Sequence, residues 1–572
     1  MRILTVALAM ALLSTVASAD TVYGRIIQSR DAGEITLDQA AVYLAASVVA
    51  PQLLPADLAL GADPDPCGTP AVLEAQRMED RISAETGGEG NDLLARPTLS
   101  GPENTFDSPS GHFKMHYTTS GVDACSLEYA QALASYADFS WSTEVDQMGY
   151  HAPPSDLGLG GGTNYDIYVL HQTSLGYTSP DGIPDPTTPW NDSSSYIAIA
   201  PSLSTNLSEV TVAHEFQHAC QMSYDVSEPS WFMENCAVWM EDQVYDDVND
   251  YWGYLTSGDN PLRKPWWDIR DGGSTLYWYG GNIWARYMSL RINVNAVRDV
   301  WDNCADVWGP NMMSAQEDMF SSHGMTWEQG FMEYAEWRWF TSTYWFSGCG
   351  CFDDEAVHWN PGPYVFPYHL VNSLPWTGDE GVYPPESYGI HWIKVNLTNY
   401  QGNWVNCHFD GRDGFNWDLG VILYDTAGNN QYYWYDTDAS GIKDVSIRAQ
   451  GWDYVMFTPS LVMETSLDKY YDVSITATSG VEGEGDTPEM IDLRVSANPA
   501  GSGSVALFML PAASAARLEA YDMSGRMVAT LYDSDAPSGQ STVSLSGLST
   551  GVYFLRLYAD GQIAGRRVTV IR

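Results

Sequence analysis

The sequence predicts an α+β domain, followed by an all-β sandwich and a small β module at the C-terminus. Three alternating strand patterns, at 112–117, 165–170 and 196–200, precede a long stretch of helical spacing at 206–345, an order typical of an α+β domain. From about residue 350 the chain holds only short strand-like runs, such as Leu419–Tyr424, separated by Gly, Asp and Asn turns. Runs of that kind favour a sandwich.

Shifts in composition predict the boundaries. In chain order, we expect a signal peptide at 1–19, a propeptide-like leader at 20–105, the α+β domain at 106–348, the sandwich at 349–480, a linker at 481–488 and the β module at 489–572. The leader carries too little apolar surface for a core of its own. The last module has seven Arg and seven acidic residues, so the net charge of the chain lies upstream of it and marks it as a separate unit.

Length and charge exclude some classes of function. The chain has 572 residues and a mass of 63.2 kDa, too long for one core. The 73 acidic residues against 26 Lys and Arg give a formal net charge of −47. Such a surface repels the phosphate groups of nucleic acids and anionic lipids, so neither is an expected partner.

The N-terminal residues are typical of a secretory signal peptide. Arg2 provides the positive charge, Ile3–Leu13 is apolar, and Ala17–Ala19 are small residues before a cut at Asp20. No later segment offers the roughly 20 consecutive apolar residues that a membrane span needs. We therefore expect an exported, soluble protein.

Cysteines form an even set of eight, at 67, 125, 220, 236, 304, 349, 351 and 407. In an exported chain, disulfides are the leading expectation. Cys67 lies in a Pro- and Gly-rich stretch and has two interpretations: a disulfide, with Cys125 as one candidate partner, or a latency thiol that binds a metal before activation. The disulfide is the favoured one.

Residues His214–His218 form an HExxH motif on a predicted helix. Residues i and i+4 lie about 40° apart around a helix axis, so both imidazoles can bind one metal ion. Glu215 then lies beside the metal, where a general base must stand to activate water. The competing interpretation is a pair of histidines on an amphipathic helix with no ligand.

The third ligand is expected on a second helix. Gln221 and Tyr224 occupy the positions where the extended metzincin motif requires Gly and His, so that motif is absent. The predicted helix at 231–241 carries Glu234 and Glu241, about 10.5 Å apart along the axis, so one zinc cannot use both. Glu234, near the helix start, is preferred; Glu241 is either a partner of a ligand or a solvated charge.

His214–His218 followed by Trp231-x-x-Glu234 resembles the gluzincin metallopeptidases. The likeness is closer to a group of exported bacterial zinc metalloproteases and covers about residues 30 to 345. The resemblance implies a zincin-like fold for 106–348, zinc on His214, His218 and Glu234, and Glu215 as the general base. It also implies a side chain that stabilises the oxyanion. Tyr279 is the candidate and Tyr277 the runner-up, with an aromatic core residue as the alternative.

Two further expectations concern the surroundings of this site. Cys220 and Cys236 each follow a proposed ligand by two residues, so the two helices, if they meet at zinc, can also bring these thiols together as a disulfide. The alternative is a pair of small buried residues. The loop Asp181–Asp185 is a candidate calcium site, and a polar loop near the cleft explains its composition equally well.

The C-terminal module has a resemblance of its own. Asn498–Pro499, Tyr521–Arg526 and Gly551–Arg556 are similar to the sorting domains of proteins exported by the type IX system and to related Ig-like modules. The likeness implies an Ig-like fold, the export machinery as a partner, and a secreted or cell-surface location.

The predicted function is that of a secreted zinc-dependent endopeptidase. Its partner is a protein or peptide substrate, and Glu215 is the base that activates water. Two alternatives remain at this point: a catalytically inactive zincin-fold binding protein, and a zinc hydrolase of a non-peptide polymer.

Overall fold

The structure is a computed structural model. It describes residues 21–60, 62, 65–86, 95–256, 259–270, 275–345, 351–359, 368–426, 428–479, 491–523, 526–559 and 561–572. The predicted signal peptide and the predicted linker lie outside these described residues. The chain forms two compact units: the first ends at Tyr254 and also contains Arg270–Gly324, and the second consists of Leu255–Ile269 and Met325–Arg572.

Helices and strands follow the predicted order. The α-helices are α1 Val22–Asp31, α2 Leu37–Val49, α3 Ala56–Ala59, α4 Thr69–Thr86, α5 Leu127–Trp141, α6 Thr205–Met222, α7 Ser230–Val244, α8 Trp252–Thr256, α9 Thr275–Gly280, α10 Asn282–Arg291, α11 Ala296–Ala305, α12 Met312–Ser322 and α13 Trp327–Trp339. The strands of the first unit are β1 Asn104–Asp107, β2 Phe113–Tyr117, β3 Tyr165–Val169, β4 Gly176–Pro180 and β5 Ser195–Ile199. Strands first and helices later confirm the α+β prediction for this part of the chain.

The first unit contains a mixed five-stranded sheet in the order β1-β2-β3-β5-β4. Strands β2, β3 and β5 run parallel to one another, and β4 pairs antiparallel with β5 at the edge of the sheet. Helix α6 begins after Ser204, whose hydroxyl caps the helix by accepting from the Leu207 N–H. From Val210 to Met222 every residue of α6 is buried, so this helix is a core element with apolar and polar side chains alike enclosed.

Leader helices complete the core of the first unit. Ile26, Leu44 and Val72, from α1, α2 and α4, are fully buried against the sheet residues Tyr168 and Tyr177. The low apolar content of the leader is thus compensated by a core that it shares with the sheet. Removal of the leader would expose that face of the sheet to water.

The second unit is all-β apart from α13 and short turns in the described residues. Its strands are β6 His369–Val371, β7 Trp376–Asp379, β8 Ile393–Asn396, β9 Trp404–Gly411, β10 Trp417–Tyr424, β11 Asn430–Asp436, β12 Ile442–Arg448, β13 Tyr454–Leu461, β14 Tyr471–Thr478, β15 Asp492–Val495, β16 Val505–Leu510, β17 Ser514–Tyr521, β18 Met527–Ala536, β19 Gly539–Ser544, β20 Gly551–Ala559 and β21 Gln562–Val570. This content confirms the all-β prediction after residue 350.

Three sheets form the second unit. A nine-stranded sheet, β18-β17-β20-β21-β11-β10-β13-β8-β6, shares a core with the four-stranded sheet β12-β9-β14-β7. The third sheet, β15-β16-β19, packs with the C-terminal strands around a second core. Because β11 pairs with β21, with Asn430 opposite Gly565, the C-terminal module continues a sheet of the sandwich.

The structure corrects the predicted disulfides. Cys220 and Cys236 are both free and fully buried. Cys67 and Cys125 are also free, so neither predicted pairing forms. Burial raises the pKa of Cys220 and Cys236, which therefore remain thiols and pack as small core residues. Cys351 is in a disulfide.

Candidate metal centre

The predicted ligands meet inside the first unit. His214 and His218 lie on α6, Glu234 lies on α7, and the thiol of Cys67 joins them from the leader. One ligand atom from each residue lies within 4.8 Å of every other, and all four residues are buried. We call this group the ligand cluster.

Distances within the ligand cluster match those around a zinc ion. His214 Nε2 lies 3.2 Å from His218 Nε2 and 3.2 Å from Glu234 Oε2, and His218 Nε2 lies 3.2 Å from Glu234 Oε1. A tetrahedral zinc with ligand bonds of 2.0–2.1 Å separates its nitrogen and oxygen ligands by about 3.3 Å. Three nearly equal edges of this length fit a single central ion.

Hydrogen bonds set the direction in which each imidazole faces. The Gln221 side-chain amide donates from Nε2 to the Met233 carbonyl at 3.0 Å, so its Oε1 can only accept from His218 Nδ1 at 2.8 Å. With Nδ1 bonded to Gln221, Nε2 is the ring nitrogen of His218 that faces the cluster and can offer a lone pair to a metal ion. His214 Nδ1 lies 2.7 Å from Glu241 Oε1, an arrangement typical of a metal-bound histidine held by a carboxylate.

The charges of the ligand cluster call for a cation. Burial alone would raise the pKa of Glu234, but His218 and His214 lower it to about 2, so this carboxylate is ionised. Neither of its oxygens receives a hydrogen bond, although both lie 3.2 Å from an imidazole nitrogen. The pKa of His214 is raised despite its burial, chiefly by Cys67 and the two glutamates. A proton on that ring compensates the charge of only some of these residues. One metal ion would contact all four of them.

Glu241 is a buried neighbour of His214 and not a solvated surface charge. It is buried, and its carboxylate bonds to His214 from the far side of the imidazole. Burial raises the pKa of Glu241 to about 7, and the hydrogen bond with His214 opposes that rise. Its place behind the ring leaves Glu234 as the carboxylate that reaches the cluster.

Glu215 stands beside the ligand cluster with one oxygen available. Its Oε2 accepts hydrogen bonds from Thr178 Oγ1 at 2.9 Å and from Thr69 Oγ1 at 3.1 Å, while Oε1 has no partner. A cavity of about 20 Å³ is lined by His214, Glu215 and Cys67, among other residues. That volume has room for about one water molecule.

Strand β4 supplies the wall behind Glu215. A Cβ on Gly176 would lie 2.7 Å from Glu215 Cγ and 2.9 Å from Oε1, so only glycine leaves room for the carboxylate. Thr178 on the same strand donates to Glu215 through its hydroxyl group. β4 was not among the predicted strands, because its Gly and Pro residues resemble a turn in the sequence.

Tyr279 lies at the ligand cluster. Its hydroxyl group accepts the backbone N–H of Cys67 at 3.3 Å. Its ring stacks on His214, with centroids 6.2 Å apart, and on Tyr254, with centroids 5.1 Å apart. Tyr277 is also buried on α9. Tyr254 had no distinguishing signal in the sequence.

The candidate calcium loop makes contacts within the protein. The Asp181 carboxylate pairs with the Arg96 guanidinium at 2.8 Å, and Asp185 Oδ1 accepts from the Thr187 hydroxyl at 2.7 Å. These contacts agree with a polar loop whose acids bond to neighbouring side chains. Calcium binding there stays a prediction.

Comparisons with known proteins identify the C-terminal module. Residues 498–571 match the family described as "Secretion system C-terminal sorting domain". The module is therefore a sorting domain of the type IX kind, its partner is the export machinery, and the protein is secreted or attached to the cell surface. Among the described residues, no helix is both long enough and apolar enough to cross a membrane.

Other comparisons are weaker. No curated protein matches the chain. Solved structures that resemble part of it include a "Biofilm associated protein - BSP domain", with 12% identity, 34% of this chain and 51% of that chain covered, and a TM-score of 0.12. A β-1,2-glucanase from Parabacteroides distasonis shows 9% identity over 35% of this chain and 36% of that one, also with a TM-score of 0.12. The chain thus spans about half or less of the length of these proteins, and neither likeness bears on its function.

Proposed function

We propose that the protein is a secreted zinc-dependent endopeptidase of the gluzincin type, with a zincin-like domain at 106–348. The observation that carries the proposal is the ligand cluster itself. Two imidazole nitrogens and one ionised carboxylate lie at zinc-like separations, with the HExxH glutamate beside them. His214, His218 and Glu234 would hold the ion, which supplies a Lewis acid for a carbonyl group.

The other residues have roles that follow from their positions. Glu215, with Oε1 unpartnered beside a water-sized cavity, takes a proton from the attacking water and passes it to the leaving amine. Tyr279, once its hydroxyl is free, donates a hydrogen bond to the oxygen of the scissile carbonyl group. Gln221 and Glu241 hold the two imidazoles with Nε2 toward the ion.

The edge strand β4 supports a peptide as the substrate. β4 ends the sheet, and its first residue and the residue before it already bind a segment of the leader. The Gly68 N–H donates to the Gly176 carbonyl at 2.8 Å, and the Leu175 N–H donates to the Pro66 carbonyl at 2.9 Å. An exposed sheet edge recognises a peptide through its backbone and therefore tolerates many sequences. This feature favours a polypeptide over another polymer.

The test separates metal binding from chemistry. Glu215→Gln keeps the shape of the side chain but removes the base, so zinc content should be unchanged while digestion of casein falls by about 10²–10⁴-fold. Glu209→Gln, on the same helix, is the matched control and should digest casein normally. Because leader residues lie in the cleft, each protein is assayed intact and after limited proteolysis of the leader.

Two outcomes would favour the alternatives. A wild-type protein that binds one zinc but cleaves neither proteins nor polysaccharides would be a binding protein. Zinc-dependent hydrolysis of a polysaccharide without proteolysis would assign a different bond.

A further inference from the structure

We propose that Cys67 of the leader is the fourth zinc ligand and that this bond holds the enzyme latent until the leader is released. The inference rests on the proposed zinc site and concerns its regulation. Its basis is the position of the thiol: Cys67 Sγ lies 3.5 Å from His218 Nε2 inside the ligand cluster. A tetrahedral zinc with a sulfur bond of about 2.3 Å separates sulfur from a nitrogen ligand by about 3.6 Å.

A fourth protein ligand changes what the site can do. Catalytic zinc sites keep one position open for water or substrate, whereas four protein ligands close the site. With Cys67 in place, His214, His218, Glu234 and the thiolate would give a bound zinc four protein ligands. The same three ligands without the leader make an open site.

Local structure favours the thiolate form of Cys67 once an ion is bound. The Thr69 N–H donates to Sγ at 3.3 Å, and Cys67 lies two residues before the start of the 18-residue helix α4, whose N-terminus favours negative charge. Because the thiolate is the form of cysteine that binds a metal, these contacts favour the bond that we propose.

Leader residues also contact the other groups that catalysis needs. The Thr69 hydroxyl donates to Oε2 of Glu215, the proposed base. The Cys67 N–H donates to the Tyr279 hydroxyl, the proposed oxyanion donor. One short segment of the leader thus contacts the proposed base, the proposed oxyanion donor and the position of the fourth metal ligand.

Gly68 fixes this segment against the sheet edge. A Cβ at Gly68 would lie 2.9 Å from Val48 Cγ1, 3.0 Å from Ser174 Oγ and 3.0 Å from Tyr177 Cβ. The backbone of Gly68 lies so close to α2, to the loop before β4 and to β4 itself that it admits no side chain there. Cys67 and Thr69 are thereby held on either side of a glycine, one at the ligand cluster and one at the base.

Release of the leader reverses each of these contacts. A water molecule would replace the thiolate as the fourth ligand, and the released thiolate would take up a proton from solvent. Glu215 would lose the Thr69 hydrogen bond, and the edge of β4 would become available to a substrate. No oxidant or reductant is consumed, because the step is an exchange of ligands.

Cobalt in place of zinc tests the thiolate bond without relying on activity. The full chain is loaded with one equivalent of Co²⁺, and its absorption spectrum is recorded in the near ultraviolet, where a thiolate bound to cobalt gives a charge-transfer band. We expect the band in wild type and its loss in Cys67→Ser, which should still bind cobalt. Cys125→Ser, a buried free cysteine outside the ligand cluster, is the control and should keep the band.

The second arm follows release of the leader in the wild-type protein, so it does not depend on folding of a variant. Limited proteolysis of the cobalt-loaded chain should abolish the band in proportion to the cleaved fraction, with the metal retained. Peptidase activity of the zinc form should appear in the same proportion.

Three results would contradict parts of the scheme, and they can be told apart. Failure of the chain to bind either metal would reject the zinc site and the proposed function. Metal binding without the band would reject Cys67 as a ligand but leave the peptidase proposal intact. A band that persists after the leader is cut would show a permanently closed four-ligand site, which is structural and not latent.

Discussion

The ligand cluster of the first unit and an acidic cluster in the second unit are built differently. The acidic cluster consists of Glu328 on α13, Asp418 on β10 and Asp436 on β11, with the two aspartates paired across the strands. Asp418 and Glu234 are both fully buried. Burial and the neighbouring acids raise the pKa of Asp418 well above its ordinary value, whereas the histidines lower that of Glu234 to about 2.

This difference shows how a metal site is distinguished from a group of acids. A buried carboxyl group with only acids beside it relieves its charge by taking up a proton. A buried carboxylate beside two imidazoles stays ionised, and one metal ion can take the place that the ring protons would otherwise fill. The histidines, and not burial or the number of carboxylates, make the ligand cluster suitable for zinc.

The largest effect is expected from removing one imidazole. His218→Ala takes away a ligand atom and opens a cavity beside Glu234, so the protein should lose its stoichiometric zinc on dialysis. Asp418→Asn, in the acidic cluster, is the control and should keep it. Elemental analysis of both proteins gives the answer. If the His218→Ala protein kept a full equivalent of zinc, the ligand cluster would not be the zinc site, and its difference from the acidic cluster would have no bearing on metal binding.

The next effect compares the two carboxylates of α7. Glu241→Ala should weaken zinc binding by about 10–100-fold, the usual loss when a partner of a ligand is removed. Glu234→Ala removes a ligand and should cost far more. Zinc affinity is measured by competition with a chelator. The reverse order would make Glu241 the ligand and overturn the placement on α7.

A smaller change concerns the base and not the metal. Gly176→Ala places a methyl group against Glu215, so the carboxylate must move by about 1 Å, a shift that lowers turnover by about 100-fold. Zinc content should be unchanged. Gly253→Ala, where a Cβ meets nothing within 4 Å, is the matched control for the kinetic assay. Equal turnover in both variants would mean that Glu215 need not occupy its observed position.

The smallest effect is expected from the acidic cluster. Because the pKa of Asp418 is raised in the folded state, its contribution to stability is complete below about pH 4, the ordinary value for Asp, and is lost as the pH rises through the folded-state value. Asp418→Asn should therefore raise the free energy of unfolding at pH 7 by about 1–3 kcal/mol, and the gain should shrink toward pH 4. Denaturant unfolding at both pH values measures it. If Ca²⁺ instead stabilises wild type and not the variant, the acidic cluster is a cation site.

Local patterns predicted most of the elements around the site. Strands β2, β3 and β5 and helices α6 and α7 each follow from a hydrophobic period that a short stretch of sequence carries. Strands β1 and β4 were missed: β4 contains Gly176 and Pro180, residues that weaken a strand pattern and are tolerated at a sheet edge. The two named disulfide pairings were wrong. For Cys220 and Cys236 the reason is that spacing along two helices does not fix the side to which each thiol points.

The sequence alone predicted that His214 and His218 face one point with Glu215 beside them, because one turn of a helix brings residues i and i+4 to the same side whatever surrounds it. It also favoured Glu234 over Glu241 and identified the C-terminal sorting module, whose likeness lies in contiguous residues. Only the tertiary structure placed Cys67 in the ligand cluster, Gly176 against Glu215, and Gln221 behind His218. Those contacts join segments that are far apart in the sequence, and they depend on how the leader, the sheet and the helices pack together. A local hydrophobic period does not predict contacts between distant segments.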